Sequence, residues 1–131
     1  MTAVPERKEN TVPQAGKTCP LHFSMQLRLS KELTFFGPGV AQLLTLVEET
    51  GSLNSAAGRM GMAYSKAWKI IKKAEQQLGF PLLTRTIGGK SGGGSSLTEE
   101  CKSFLERYLT LQKAANEVTD GLFRELFSTY F

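Results

Sequence analysis

Hydrophobic and polar residues alternate near the start of the chain, over residues 23–30. The apolar positions are Phe23, Met25, Leu27 and Leu29, and a polar residue follows each of them. A period of two places alternate side chains on one face, so the pattern predicts a half-buried β-strand. The sequence LTFF at residues 33–36 fits either a short partner strand or the approach to the first helix.

Farther along the chain, apolar residues recur every three or four positions, which is typical of helices. The spacing predicts a helix over residues 39–50 that Gly51 ends in a left-handed conformation. Ser52 suits the N-cap of a short helix that ends at Gly61, and a longer helix covers residues 63–78. A short helix, a turn that contains glycine and a longer helix together predict a helix-turn-helix.

Small and apolar residues occupy the inward-facing positions of this unit: Ala56, Met60, Met62, Ala67 and Ile70. Ala57 lies where a larger side chain would push the two helices apart. On a helical wheel the longer helix has an apolar arc of Tyr64, Ala67, Trp68, Ile71, Ala74 and Leu78. Its opposite arc carries Ser65, Lys66, Lys69, Lys72, Lys73 and Gln76, with no acid.

Four like charges on one arc repel one another, whereas a solvated helix face usually mixes charge signs. We therefore favour contact with duplex DNA for these lysines, and solvation alone is the alternative. The wider charge distribution agrees, because residues 51–98 contain seven basic residues and one acidic residue in a chain of net charge +4. A basic middle third indicates an anionic partner.

The glycine-rich segment IGGKSGGGS, residues 87–95, follows the longer helix. A phosphate-binding loop of the Gly-x-x-x-x-Gly-Lys-Ser type would need glycine where Thr84 stands, and the glycines after Ser91 allow no helix to begin there. PLLTRT before the segment and SSLT after it fit two strands. The sequence thus predicts a β-hairpin with a long flexible tip, a wing that reaches DNA beside the longer helix.

A long last helix is predicted to begin after the N-cap Thr98 and to kink or end near Gly121. Its apolar residues repeat by three and four: Phe104, Tyr108, Leu111, Ala115, Val118 and Leu122. We interpret them as the seam of a symmetric homodimer. The alternative is a helix that packs on its own domain.

Other functions are poorly supported by the composition. No apolar run is long enough for a membrane span, and residues 1–20 have no apolar core of the kind that a secretory signal needs. We expect residues 1–21 to form a flexible tail. Cys19 and His22 provide too few ligands for a metal site, and Cys101 lies on a helix face that favours packing over reactivity. We expect a cytoplasmic protein with no cofactor, no metal and no catalytic site.

Several motifs resemble the N-terminal domain of the ModE family of molybdate-responsive transcription regulators in bacteria. They are Gly51-Ser52-Leu53, the pair Ala56-Ala57, Gly61, Tyr64, Ala67-Trp68 and the glycine-rich segment from Gly88 to Gly94. The resemblance covers residues 24–125 and extends, more distantly, to the winged domains of the LysR family.

The resemblance implies a winged helix-turn-helix that dimerises through its long helix and binds palindromic DNA. It places DNA contacts on Ser65, Lys66, Lys69, Lys72, Arg85, Thr86, Lys90 and Ser91, to which the charge pattern adds Lys73. Full-length members carry molybdate-sensing domains after the last helix. We expect none within these 131 residues, so molybdate binding by this chain is doubtful. The effector, if there is one, stays open, and a separate effector-sensing protein is one possible partner.

Together these patterns predict a mainly α fold with a small β component. We expect a flexible tail at 1–21, a winged helix-turn-helix at 22–98 and a dimerisation helix with a C-terminal tail at 99–131. The predicted function is a homodimeric, sequence-specific DNA-binding regulator. The alternative is a winged-helix module that binds proteins rather than DNA.

Overall fold

The computed structural model describes residues 19–86 and 94–131. Its contacts divide the chain into two units, Gln26–Asn116 and a second unit of Met1–Met25 with Glu117–Phe131. Of the flexible tail predicted for residues 1–21, residues 1–18 lie outside the described residues. No described helix is both long and apolar enough to cross a membrane.

The fold is mainly α-helical with a small β component, as the sequence predicts. In chain order the elements are β1 (Leu29–Ser30), β2 (Thr34–Phe36), α1 (Pro38–Thr50), α2 (Leu53–Arg59), α3 (Tyr64–Leu78), β3 (Leu83–Thr86), β4 (Gly94–Leu97) and α4 (Glu99–Leu126), followed by a 3₁₀ turn at Ser128–Tyr130. Strands β1 and β2 form one antiparallel pair, and β3 and β4 form another. The second pair is the predicted hairpin.

Local turn chemistry sets the boundaries of the helix-turn-helix. Gly51 ends α1 with a φ of 76°, and the Ser52 hydroxyl accepts the Ser55 amide at 3.1 Å to cap α2. Gly61 turns the chain toward α3 with a φ of 70°, a conformation that costs other L-residues free energy. These predicted caps and turns are confirmed.

Helices α1, α2 and α3 enclose the core of the first unit. Ala56, Ala67 and Ala74 have no exposed surface, and Ala57 is 1% exposed, so the helices approach closely. Larger buried residues fill the space between them: Phe36, Leu43, Leu44, Val47, Ile71 and Leu82. The inward positions predicted at Met60, Met62 and Ile70 pack against this core and are half-buried.

The first predicted strand is shorter than the alternation of residues 23–30 indicates. Only Leu29–Ser30 pairs with another strand, and the register is irregular there. The carbonyl of Leu27 instead accepts a hydrogen bond from the Tyr108 hydroxyl at 2.8 Å. Of the alternating apolar residues, Leu27 and Leu29 pack against the core, whereas Met25 is 40% exposed, so the alternation does not correspond to one long half-buried strand.

Helix α4 packs its first turns against its own core, which corrects part of the predicted dimer seam. Tyr108 is 2% exposed, and its ring lies 5.0 Å from that of Phe36. Phe104 is half-buried, with its ring 4.9 Å from Phe36. Tyr108 is therefore buried within its own chain and is unavailable for a seam, whereas Phe104 keeps part of its surface exposed. The other seam residues keep exposed surface: Leu111, Val118 and Leu122 are 49%, 64% and 53% exposed, and Ala115 is half-buried.

The expected break at Gly121 is absent, because α4 continues to Leu126 with Gly121 in its interior. In the second unit, three aromatic rings contact Phe123 at centroid distances of 5.3–5.5 Å: Phe23, Phe127 and Phe131. Leu126 and Tyr130 remain about 70% exposed beside them.

Candidate nucleic-acid interface

Helix α3 presents three exposed lysines that have no ion pair within the described ranges: Lys66, Lys69 and Lys73. They project from one side of the helix, and the neighbouring Ser65 is exposed as well. We call Lys66, Lys69 and Lys73 the lysine face. Three unpaired ammonium groups on two turns create a positive potential that attracts a polyanion.

Lys72 differs from the lysine face, because its side chain reaches an acid that lies outside the predicted arc of lysines. Its Nζ lies 3.2 Å from the Glu75 carboxylate and 5.2 Å from the centre of the Trp68 ring. The wheel separated Glu75 from the lysines, but a residue three positions along a helix is within reach of a flexible side chain. Lys72 is therefore held by the protein itself.

Glu75 also connects α3 to the hairpin. Its second carboxylate oxygen accepts the backbone N–H of Leu82 at 2.8 Å, just before β3 begins. Two hydrogen-bonding partners satisfy this carboxylate, whose side chain is 15% exposed. The bond fixes where the hairpin starts relative to α3.

The β3–β4 hairpin forms the wing, and further hydrogen bonds hold its base. The Ser95 N–H donates to the Gly51 carbonyl at 2.8 Å, and the Thr98 N–H donates to the Leu82 carbonyl at 2.9 Å. Arg85 pairs with Ser95 across the hairpin and is exposed. Thr86 pairs with Gly94, whereas Lys90 and Ser91 lie outside the described residues.

A cleft of about 560 Å³ opens between α3, the wing and the start of α2. The residues that line it are Ser52, Leu53, Asn54, Tyr64, Trp68, Ile71, Lys72, Glu75, Leu83, Thr84, Arg85, Gly94 and Ser95. Tyr64 is 48% exposed and Trp68 is 46% exposed, so the apolar arc of α3 is not buried at these two positions. The wheel could not separate them from Ile71, because it gives the direction of a side chain and not whether a neighbouring element covers it.

Cys101 is fully buried, which agrees with the prediction that its side chain is packed. Burial, together with the smaller effect of the negative charges of Glu48 and Glu75, raises the pKa of its thiol to about 12. A thiol is nucleophilic only when it ionises. Among the described residues, no three His, Cys, Asp or Glu side chains gather in a way that could hold a metal ion.

Residues 41–102 match the family model described as the bacterial regulatory helix-turn-helix protein, LysR family. The chain is 33% identical over 89 residues to the transcriptional regulator ModE of Haemophilus influenzae, a match that covers 68% of this chain and 34% of that protein. It is 31% identical over 98 residues to the DNA-binding transcriptional dual regulator ModE of Escherichia coli, covering 75% of this chain and 37% of that protein. The chain thus spans about a third of the length of these relatives.

Solved structures agree at the level of the fold. The CbnR DBD–DNA complex superposes with a TM-score of 0.50 at 24% identity, covering 63% of this chain and 88% of that one. Full-length CbnR with its target DNA superposes with a TM-score of 0.52 at 23% identity, covering 66% and 28%. The resemblance indicated by the motifs is confirmed: in sequence this chain is similar to ModE regulators, its residues 41–102 match the LysR-family helix-turn-helix model, and its fold is that of a winged helix-turn-helix.

Proposed function

We propose that this chain is a cytoplasmic, sequence-specific regulator of transcription that binds palindromic duplex DNA as a homodimer. One observation carries the proposal: the lysine face lies unpaired on α3, beside a wing that bears Arg85. Polyanionic DNA relieves the repulsion among these ammonium groups, and its binding releases condensed counterions.

The comparisons support the proposal through the names and partners of similar proteins. The Escherichia coli relative is called a DNA-binding transcriptional dual regulator, and both CbnR structures contain DNA. In helix-turn-helix proteins the second helix enters the major groove, and dimers place two such helices about 34–36 Å apart. In this chain that helix is α3.

The proposed contacts divide by chemistry. Ser65, Lys66 and Lys69 occupy the first half of α3, the part that reaches base edges in this class of protein. Lys73 and Arg85 would meet phosphates, as would the wing residues Thr86, Lys90 and Ser91. Lys72 contributes less than its neighbours, because its ammonium group is already paired with Glu75.

The test starts from a duplex selected out of a random pool, followed by fluorescence anisotropy at several salt concentrations. Lys66→Ala and Lys69→Ala should each weaken binding by about 1–3 kcal/mol if the side chain reads a base. A lysine that meets phosphate alone should instead lower the slope of log affinity against log salt by about one.

Lys102→Ala is the matched control, since it removes the same charge from α4, where Lys102 pairs with Glu99 at 3.4 Å. It should leave both the affinity and the slope near those of the wild type. The proposed contacts are wrong if the α3 variants behave like this control.

A second function is favoured by the apolar surface of the second unit. Leu126, Tyr130 and Phe131 are each more than 60% exposed there, and such residues often mark a protein-binding site. In that case the chain would be a winged-helix module that binds a protein, and the lysine face would serve solubility. An absence of retardation by any duplex at low salt would favour this alternative.

A further inference from the structure

Two aromatic side chains in the cleft, Tyr64 and Trp68, are about half exposed, and no contact among residues 19–86 and 94–131 covers that exposed surface. Trp68 and Tyr64 are 46% and 48% exposed. Ala67, which lies between them in the sequence, and Ile71, one turn after Trp68, are buried. Exposed aromatic surface of this size forgoes the stabilisation that burial gives. A partner that enters the cleft would remove both rings from water.

The position of the cleft determines which part of a duplex would enter it. Helix α3 forms one wall, and strands β3 and β4 form the other. When a helix lies in the major groove and a wing reaches the adjacent minor groove, one sugar–phosphate strand runs between them. That strand has to cross the cleft.

We propose that the cleft binds this strand, with Trp68 and Tyr64 packed against its deoxyribose rings and Arg85 paired with a phosphate. The inference rests on the proposed function and adds two contact residues that carry no charge. The chemistry of the walls suits a sugar–phosphate strand, because apolar ring faces meet sugars and a guanidinium meets phosphate oxygens.

The remaining charges of the cleft are compatible with an anionic occupant. Glu75 is the acid that lines it, and both carboxylate oxygens already accept hydrogen bonds, from Lys72 and from the Leu82 N–H. The Lys72 ammonium lies 5.2 Å from the centre of the Trp68 ring, so it adds positive charge beside the indole.

A contact with sugars has a signature that differs from that of the lysines. Trp68→Ala should weaken binding by about tenfold, the effect of losing one aromatic contact to nucleic acid. The loss should be equal for the selected duplex and for an unrelated duplex, and the salt slope should not change, because neither a base contact nor a charge is removed. Trp68→Phe, which keeps a ring, should bind within about threefold of the wild type.

The experiment measures anisotropy titrations of the wild type, the two Trp68 variants and Leu33→Ala with both duplexes. Leu33 is 54% exposed and does not line the cleft, so its truncation is the control for loss of exposed apolar surface and should have no effect. Circular dichroism establishes that each variant is folded.

A second readout needs no variant, because Trp68 is the chain's single tryptophan. Saturating duplex should shift its fluorescence to shorter wavelength and protect it from acrylamide quenching. If the wild type binds DNA but Trp68 emission and quenching stay unchanged, or if Trp68→Ala binds like Leu33→Ala, the inference is overturned while the proposed function stands. If the wild type binds no duplex, both fail.

Discussion

At the scale of single residues, folding changes the ionisation of Cys101 more than that of any other group in the described part of the chain. Burial raises the pKa of its thiol from 9.0 to about 12, so the folded protein holds this proton after the unfolded chain has lost it. Stability linked to Cys101 is therefore complete below pH 9 and declines as pH rises toward 12.

Urea unfolding at about pH 8 and about pH 10.5 tests this linkage. The free energy of unfolding should fall between the two conditions, and Cys101→Ala should show a smaller fall because the alanine cannot ionise. Burial also raises the pKa of Tyr108, which remains in the variant and accounts for part of the decline. Equal declines in wild type and variant would contradict the assignment to Cys101.

Individual residues also mark where sequence reasoning succeeds and where it stops. The conformations of Gly51 and Gly61 were predictable, because turn chemistry depends on adjacent residues. The exposure of Trp68 was not, because a wheel gives the direction of a side chain but not the extent of the neighbour that would cover it. The pairing of Lys72 with Glu75 was not predicted for a similar reason. A wheel gives the direction of the Cα–Cβ bond, and the end of a long, flexible side chain can lie well away from that direction.

At the scale of elements, two glycines of the helix-turn-helix have opposite roles. Gly61 has a φ of 70°, whereas Gly58 lies within α2, and neither would bring a new Cβ within 4 Å of another atom. The difference is therefore in the backbone. Gly61→Ala should destabilise the protein by about 1–2 kcal/mol, whereas Gly58→Ala should stabilise it by roughly 0.5–1 kcal/mol.

Thermal and urea unfolding of the two variants check this contrast, and each variant serves as the control for the other. The added methyl group is the same in both proteins, so a packing effect would shift both midpoints in the same direction. A shift of the same sign would therefore refute the backbone explanation.

The two elements with wrong boundaries fail for identifiable physical reasons. Helix α4 passes through Gly121 because a glycine in a helix costs only about 1 kcal/mol, which a helix of 28 residues can absorb. Strand β1 is short because a ladder requires a partner, and β2 supplies three residues. Periodicity predicts the direction of side chains better than it predicts hydrogen-bonded length.

At the scale of the whole molecule, the proposed homodimer depends on apolar residues that a single chain leaves exposed. Leu111 is 49% exposed in the first unit, and Val118 is 64% exposed in the second. Leu111→Glu or Val118→Glu should convert a dimer into a monomer, since a buried unpaired carboxylate opposes association. Light scattering would then give a mass near 14.4 kDa for the variants and twice that mass for the wild type.

Leu33→Glu is the control for this prediction, because Leu33 is similarly exposed but lies between β1 and β2. It should remain dimeric. A wild-type chain that is monomeric at the concentrations used for DNA binding would exclude the seam, and the binding site would then be a single half-site.

The base of the wing has a consequence for how such a protein can diversify. Ser95 is hydrogen-bonded to Gly51, Thr98 to Leu82, and Leu82 to Glu75. The base of the hairpin is therefore attached to the C-terminal ends of α1 and α3. Insertions or deletions beyond these hydrogen bonds would change the length of the hairpin without changing the register of β3 and β4. Grafting loops of different length onto the same stem would thus tune the footprint on a nucleic acid while the scaffold keeps its shape.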